Sequence, residues 1–217
     1  SRKGAHADIL RRFGRGEVDV LIGTQMIAKG HDFPNVTLVG VLNADTGLNR
    51  PDFRASEGTF QLLTQVAGRA GRADKPGRVL VQTYNPEHIA ILSASQHDYA
   101  AFYLHELEKR RENMYPPFVR LVNLTISHED ADRAWAVATG LAQELGGRGL
   151  ERRNEAPLQL LGPASAPLAR LRNQFRFHLL LKGESTATLR EVLVRTLEAR
   201  GEEATCVSVD VDPLDMM

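Results

Sequence analysis

Thr64-Gln65-Val66-Ala67-Gly68-Arg69-Ala70-Gly71-Arg72 is the stretch on which the reading of this chain turns. At about 100° per residue, a helix here places Gln65, Arg69 and Arg72 on one stripe. One amide and two permanent cations then face the same way. Gly68 and Gly71 remove bulk beside them and let another group approach closely. Guanidinium groups suit phosphate because they are planar, always charged and able to grip two oxygens at once. The spacing alone leaves a second reading open: a solvated basic face that ends in a glycine cap, with Arg72 near the negative end of the helix.

Working upstream, Ser56 is the expected N-cap of this helix, with Phe60, Leu63 and Ala67 turned inward. Residues 45–54 read as a turn-rich loop. Residues 36–44 read as an apolar strand, and so do residues 19–24 (Val20, Leu21, Ile22), the type that a parallel sheet buries on both faces. Between those strands lies Gly23-Thr24-Gln25-Met26-Ile27-Ala28-Lys29-Gly30-His31-Asp32-Phe33-Pro34. Gly30 permits a tight backbone turn, Lys29 and His31 supply donors, and Asp32 supplies an acceptor. Residues 6–13 read as a short helix that Gly14 and Gly16 end. Downstream, Lys75-Pro76-Gly77 is a turn and residues 78–83 a third apolar strand. Alternating strands and helices predict α/β architecture with functional loops at the carboxyl ends of the strands. Three strands make a thin sheet, and the chain is expected to be a fragment of something longer.

Residues 86–112 read as mostly helical, with a charged tail whose opposite charges fall three and four apart. Pro116-Pro117 stops that helix and marks a domain boundary. Beyond it Val122, Leu124 and Ile126 alternate with polar residues, as a half-buried strand requires. Residues 131–145 give an amphipathic helix with Trp135, Ala138, Leu141, Ala142 and Leu145 on its apolar side. Residues 158–161 give a short strand, and residues 162–173 a loop carrying Pro163, Pro167, Arg170 and Arg172. Phe175, Phe177, Leu179 and Leu181 line one face of the next strand, and Arg176, His178 and Lys182 the other. A second helix (Leu189, Val192, Leu193, Thr196, Leu197) and a last strand (Val207, Val209, Val211) complete a βαββαβ order, the ferredoxin-like arrangement. The expected divisions are 1–86, a connecting segment 87–116, and 117–217. The basic group Arg170, Arg172, Arg176, His178 and Lys182 suits a phosphate-tracking groove, and equally a solvated sheet face. His105 and Glu106 are expected on the surface of the connecting helix, and Cys206 as a small sheet residue.

Composition narrows the classes. The chain has 217 residues, 42% apolar and 25% charged, with a formal net charge of +0, so any nucleic-acid surface must be a local patch. A single cysteine excludes an internal disulfide framework or a cysteine-rich metal site in this chain and fits a reducing compartment. No apolar run reaches the length of a membrane span.

Gln65-x-x-Gly68-Arg69-x-Gly71-Arg72 resembles motif VI of superfamily-two helicases, and the segment 23–34 resembles their motif V. Segment 23–34, Asp52-Phe53-Arg54-Ala55-Ser56-Glu57, Pro116-Pro117-Phe118 and Asp210-Val211-Asp212-Pro213 together are similar to the bacterial primosomal replication-restart helicases, over nearly the whole chain. The resemblance implies a later part of the second RecA-like lobe followed by a DNA-binding C-terminal domain. It implies that Gln65, Arg69 and Arg72 serve ATP with Mg, with Arg72 the finger on the γ-phosphate and Gly30, Asp32 and Gly68 on the nucleotide side. Thr24, Gln25 and Lys29 would hold the DNA backbone. The implied partners are forked DNA, single-stranded DNA-binding protein and helicase-loading primosome proteins, in a bacterial cytoplasm at the nucleoid, with no membrane role. The family's zinc belongs to an upstream insertion, and no zinc site is expected here. No G-x-x-x-x-G-K-[ST] loop occurs in these residues. This chain alone is therefore expected to be inactive on ATP. A rival of another class fits the same residues: a non-catalytic DNA-binding and assembly module whose partner lobe is absent or degraded.

Overall fold

The computed structural model describes residues 5–24, 33, 35–68, 76–150 and 158–216, except for the side chains of 5, 6 and 148–150. It is a mixed α/β structure in two compact units: Ser1–Arg50 with Arg54–Tyr103, and Pro51–Phe53 with Leu104–Met217.

In the first unit, α1 (Ala5–Gly14) buries Leu10, and Phe13 meets Phe33 edge-on at 4.9 Å. Gly16, at φ 75°, closes the turn behind it, a conformation that glycine adopts without strain. The expected strand over residues 19–24 is not formed. Val20 and Ile22 are 69% and 85% exposed, and among the described residues no strand pairs with this run. Among the described residues the sheet has two strands, β1 (Leu38–Val41) and β2 (Arg78–Val81), parallel and in register from Leu38↔Arg78 to Val41↔Val81. Both are shorter than the sequence suggested and are packed on one face only. Val41 and Val81 meet a core of Ala44, Phe60, Leu63, Ala90, Ile91, Ala94 and Phe102, while Leu38 and Leu80 on the other face are more than half exposed.

The expected loop over residues 45–54 begins instead with a one-turn helix, α2 (Asp45–Leu48). A Cβ at Gly47 would stand 2.6 Å from Thr59 Oγ1, so glycine alone allows that close approach to the next helix. That helix, α3 (Ala55–Ala67), starts one residue before the expected cap; Arg54 is the N-cap, with no side-chain cap bond, and Ser56 lies inside. It ends at Ala67, with the Gly68 N–H on the Thr64 carbonyl at 3.1 Å. The single helical segment expected over 86–112 is two helices, α4 (Ile89–Gln96) and α5 (Tyr99–Glu112). His97 divides them in the left-handed region at φ 54°, and Asp98 Oδ1 accepts from the Ala101 N–H at 2.9 Å to start the second.

The second unit runs β3 (Arg120–His128), α6 (Ala131–Leu150), β4 (Gln159–Leu171), β5 (Gln174–Gly183), α7 (Thr186–Arg200), a 3₁₀ segment (Gly201–Cys206) and β6 (Val207–Val211). The sheet order is β4-β5-β3-β6, antiparallel throughout. Strand period places Val122, Leu124, Ile126, Leu179 and Leu181 on the face that α6 and α7 cover, in a core with Ala138, Leu141, Leu145, Leu189, Val192 and Leu193. The opposite face has a smaller pack at one end: Val119, Leu121, Leu180 and Met216 against Phe53, Met114 and Tyr115. Three sequence expectations change here. Most of residues 162–173 is strand, because β4 is an edge strand, where a proline's missing N–H removes no ladder bond. Trp135, expected in the core, is 44% exposed and touches Phe177 edge-on at 5.1 Å. Glu106 is not a free surface group but pairs with Arg110 at 3.1 Å, both side chains mostly buried.

Candidate functional site

The residues that the sequence singled out fall into two sets, one in each unit. In the first unit Thr24 is exposed and Gln65 lies exposed on the last turn of α3, one turn before the Gly68 cap. Gln25, Lys29, Gly30, Asp32, Arg69 and Arg72 lie outside the described residues. In the same unit the structure adds a residue the sequence did not single out. Asp45 is buried beyond the carboxyl end of β1. Its carboxylate accepts from the Tyr84 N–H at 2.9 Å, the Asn85 amide at 2.7 Å and the Thr83 hydroxyl at 3.1 Å. The bond from the Tyr84 N–H, then that from Asn85, holds its pKa below the ordinary aspartate value. Three charge-assisted bonds therefore tie the ends of the two parallel strands together at the edge where α/β sheets carry their sites.

In the second unit the basic group sits on the β4–β5 hairpin. Arg172 (φ 49°) and Asn173 (φ 64°) form its two-residue turn, both left-handed, as a tight hairpin linking twisted strands requires. Arg170 pairs with Phe175 in register, lays its guanidinium over that ring at 5.1 Å and donates to Asn173 Oδ1 at 2.6 Å. Arg176 and His178 lie two residues apart on the other face of β5, the one away from α6 and α7, where Arg176 reaches the Leu168 carbonyl at 3.5 Å. The arginines thus surround the hairpin end on both faces and at its tip; they do not line one face. Burial first, then the Arg176 charge, pushes the His178 pKa down, so at neutral pH it brings ring donors and acceptors and no charge. Lys182 is different. It is 2% exposed, its ammonium donates to the Asn113 carbonyl at 2.9 Å and stands 3.6 Å from the centre of the Tyr115 ring. Burial lowers its pKa. Lys182 fastens the chain before β3 to the sheet and presents no open surface to a phosphate. Among the described residues there is no cluster of His, Cys, Asp and Glu that suits a metal ion, and no helix long and apolar enough to cross a membrane.

Comparison with known proteins covers both regions of the chain. A family described as "Helicase conserved C-terminal domain" matches residues 2–74, and one described as "Primosomal protein N C-terminal domain" matches residues 111–214. The chain is 47% identical over its whole length to the replication restart protein PriA of Bacillus subtilis, and 41% identical over 98% of its length to that of Chlamydia pneumoniae. The chain belongs to the PriA family. It is also 39% identical to the PriA of Synechocystis over 99% of its length. It spans about a quarter of the length of these relatives: 27%, 28% and 25%. The first match contains both helicase-like motifs and α3; the second contains the whole β3–β6 sheet with the arginine-bearing hairpin. The chain thus carries, in order, a region similar to the helicase C-terminal domain and one similar to the primosomal C-terminal domain.

Proposed function

We propose that this chain is the DNA-engaging C-terminal part of an ATP-dependent helicase that recognises stalled or branched replication forks and supports primosome assembly there. The first unit is read as the later part of a second RecA-like lobe. The β1–β2 parallel pair, with α3 packed on one face, supports that reading. The second is read as ferredoxin-like, supported by its βαββαβ succession and its antiparallel sheet with both helices on one face.

ATP with Mg would be held jointly with a lobe that carries the P-loop. Gln65 at the exposed end of α3, Arg69 and Arg72 would face its phosphates, with Gly30, Asp32 and Gly68 lining the same side. Arginine there stabilises charge on the transferring phosphoryl group. Thr24, Gln25 and Lys29 would track the DNA backbone. Single-stranded DNA-binding protein and helicase-loading proteins are the partners this role calls for.

The observation that carries the DNA reading is the hairpin: Arg170, Arg172 and Arg176 gathered around one two-residue turn, with His178 beside them. Phosphate contact of this kind is sequence-independent and salt-sensitive. The test is binding of a labelled fork by the 217-residue chain over a salt series, for parent and for the triple variant Arg170→Ala, Arg172→Ala, Arg176→Ala. The variant is expected to bind every sequence more weakly, with the salt slope reduced by as much as about 3. An unchanged affinity and slope would leave the patch a solvated face.

A further inference from the structure

The aromatic side chains on the helix-covered side of the hairpin have no part in the reading above. Phe175 and Phe177 are two residues apart on β5 and share the face toward α6. That spacing separates their Cα atoms by about 6.6 Å along the strand. Trp135, on the first turns of α6, stands edge-on to Phe177 at 5.1 Å and keeps 44% of its surface open. Phe175 and Phe177 themselves are only partly buried. In the row of Phe175, Arg170 of β4 stands on one side, its guanidinium 5.1 Å from the ring centre, and His128 of β3 on the other. Leu168, two residues before Arg170 on β4, is 51% exposed. Asp130, at the turn between β3 and α6, is not aimed at this strip, because its carboxylate accepts from the Asp132 and Arg133 N–H groups. The result is a strip of three rings running from α6 to the hairpin tip, with a cation at the tip end.

We propose that this strip is a stacking platform for the unpaired bases of a single DNA strand whose phosphates are held by Arg170 in the same row and by Arg172 at the turn. Every base has a π-face and every phosphate a charge, so a row of rings that ends at a cation fits single-stranded nucleic acid of any sequence. An apolar peptide would leave Arg170 unmatched at the tip end. A duplex keeps its bases stacked on each other and offers the rings nothing beyond its ends. The strip thus gives the second unit its single-strand preference, and the phosphate contacts give it affinity. The proposal rests on the DNA-binding reading of this unit and deepens it.

The chain has one tryptophan beside four tyrosines, so tryptophan emission excited at the red edge, where tyrosine does not absorb, reports this strip. The 217-residue chain is titrated with a labelled thymidine oligonucleotide of about 12 nucleotides and with an abasic oligonucleotide of the same length. Anisotropy of the label follows binding, and tryptophan emission follows stacking. Both oligonucleotides are expected to bind, and only the one with bases to quench Trp135. Trp135→Leu should weaken thymidine binding about tenfold or more and leave abasic binding unchanged; Trp135→Phe should retain most of the affinity. Thymidine binding without quenching, or full affinity in Trp135→Leu, overturns the platform while the phosphate reading stands. If neither oligonucleotide binds, both readings fall.

Discussion

The two units solve the same packing problem with unequal means. Each lays helices on one face of a sheet. In the second unit four strands and two long helices enclose a core whose Leu124, Ile126, Leu141 and Leu179 are 0% exposed. In the first, two four-residue strands share a core with α2, α3, α4 and the start of α5, and Leu38, Leu80, Val20 and Ile22 remain more than half exposed. Its smaller core around Phe60, Leu63, Ala90 and Phe102 is joined by polar ties at particular places: Asp45 across the strand ends, Asp98 at the start of α5, His88 Nδ1 accepting from the Ala90 N–H at 3.2 Å. A unit held by burial keeps its structure when one surface group is lost. A unit with a smaller core and a few polar ties is open to adjustment at the edge where its candidate site lies.

Separating the units tests this difference most severely. Residues 104–217 are expected to melt cooperatively on their own, and residues 1–103 to give a shallow, ill-defined transition. A cooperative melt for 1–103 and none for 104–217 would invert the comparison. Within the second unit, Leu124→Ala removes a fully buried side chain from the centre of the sheet and should cost about 2–5 kcal/mol in urea unfolding. A loss near zero would mean that the core relaxes around the change and is not tightly packed.

The smallest effect belongs to Asp45. Its folded pKa lies below 3.8, so the folded state favours the carboxylate. The stability this gives is fully present above about 3.8 and is lost as pH falls through the lower folded value. Asp45→Asn should lower the melting temperature of the 217-residue chain near neutral pH and shrink its further fall on acidification. Parallel parent and variant curves down to about pH 3 would show that the three bonds to Asp45 carry no weight.

Legibility followed the same division. Val122, Leu124 and Ile126 could be read as a half-buried strand because polar residues separate them, and α6 and α7 because their apolar residues recur at helical spacing. Val20 to Ile22 reads as a strand in the sequence and forms none, since a short apolar run looks alike whether or not a neighbour pairs with it. The break at His97 was hidden because left-handed caps are ordinarily glycine or asparagine. Pro163 and Pro167 disguised β4 as a loop, and register shifts between Leu161 and Ala164 and between Ser165 and Arg170 change which residues share a face. That is why Arg170 and Arg176 stand on opposite faces although sequence grouped them. Trp135 was read as core from its helical position; nothing in the sequence shows that α6 leaves it at the edge of the sheet. Lys182 alternates correctly with Arg176 and His178, and only the packing of Tyr115 over that end of the sheet removes it from the patch.

The proposed division of labour puts nucleotide chemistry at Gln65, Arg69 and Arg72, and DNA contact at Thr24, Gln25 and Lys29 and on the hairpin of the second unit. It is tested most directly in the full-length protein by DNA-stimulated ATP turnover and fork binding, measured together on parent and Arg72→Ala. The account predicts that turnover falls about 10³-fold or more while fork binding is unchanged. Arg72→Lys should not restore turnover, because a point charge does not reproduce the planar fork of guanidinium. Turnover that survives Arg72→Ala, or a full-length parent with none to lose, would contradict the motor reading and leave a DNA-binding assembly module in its place.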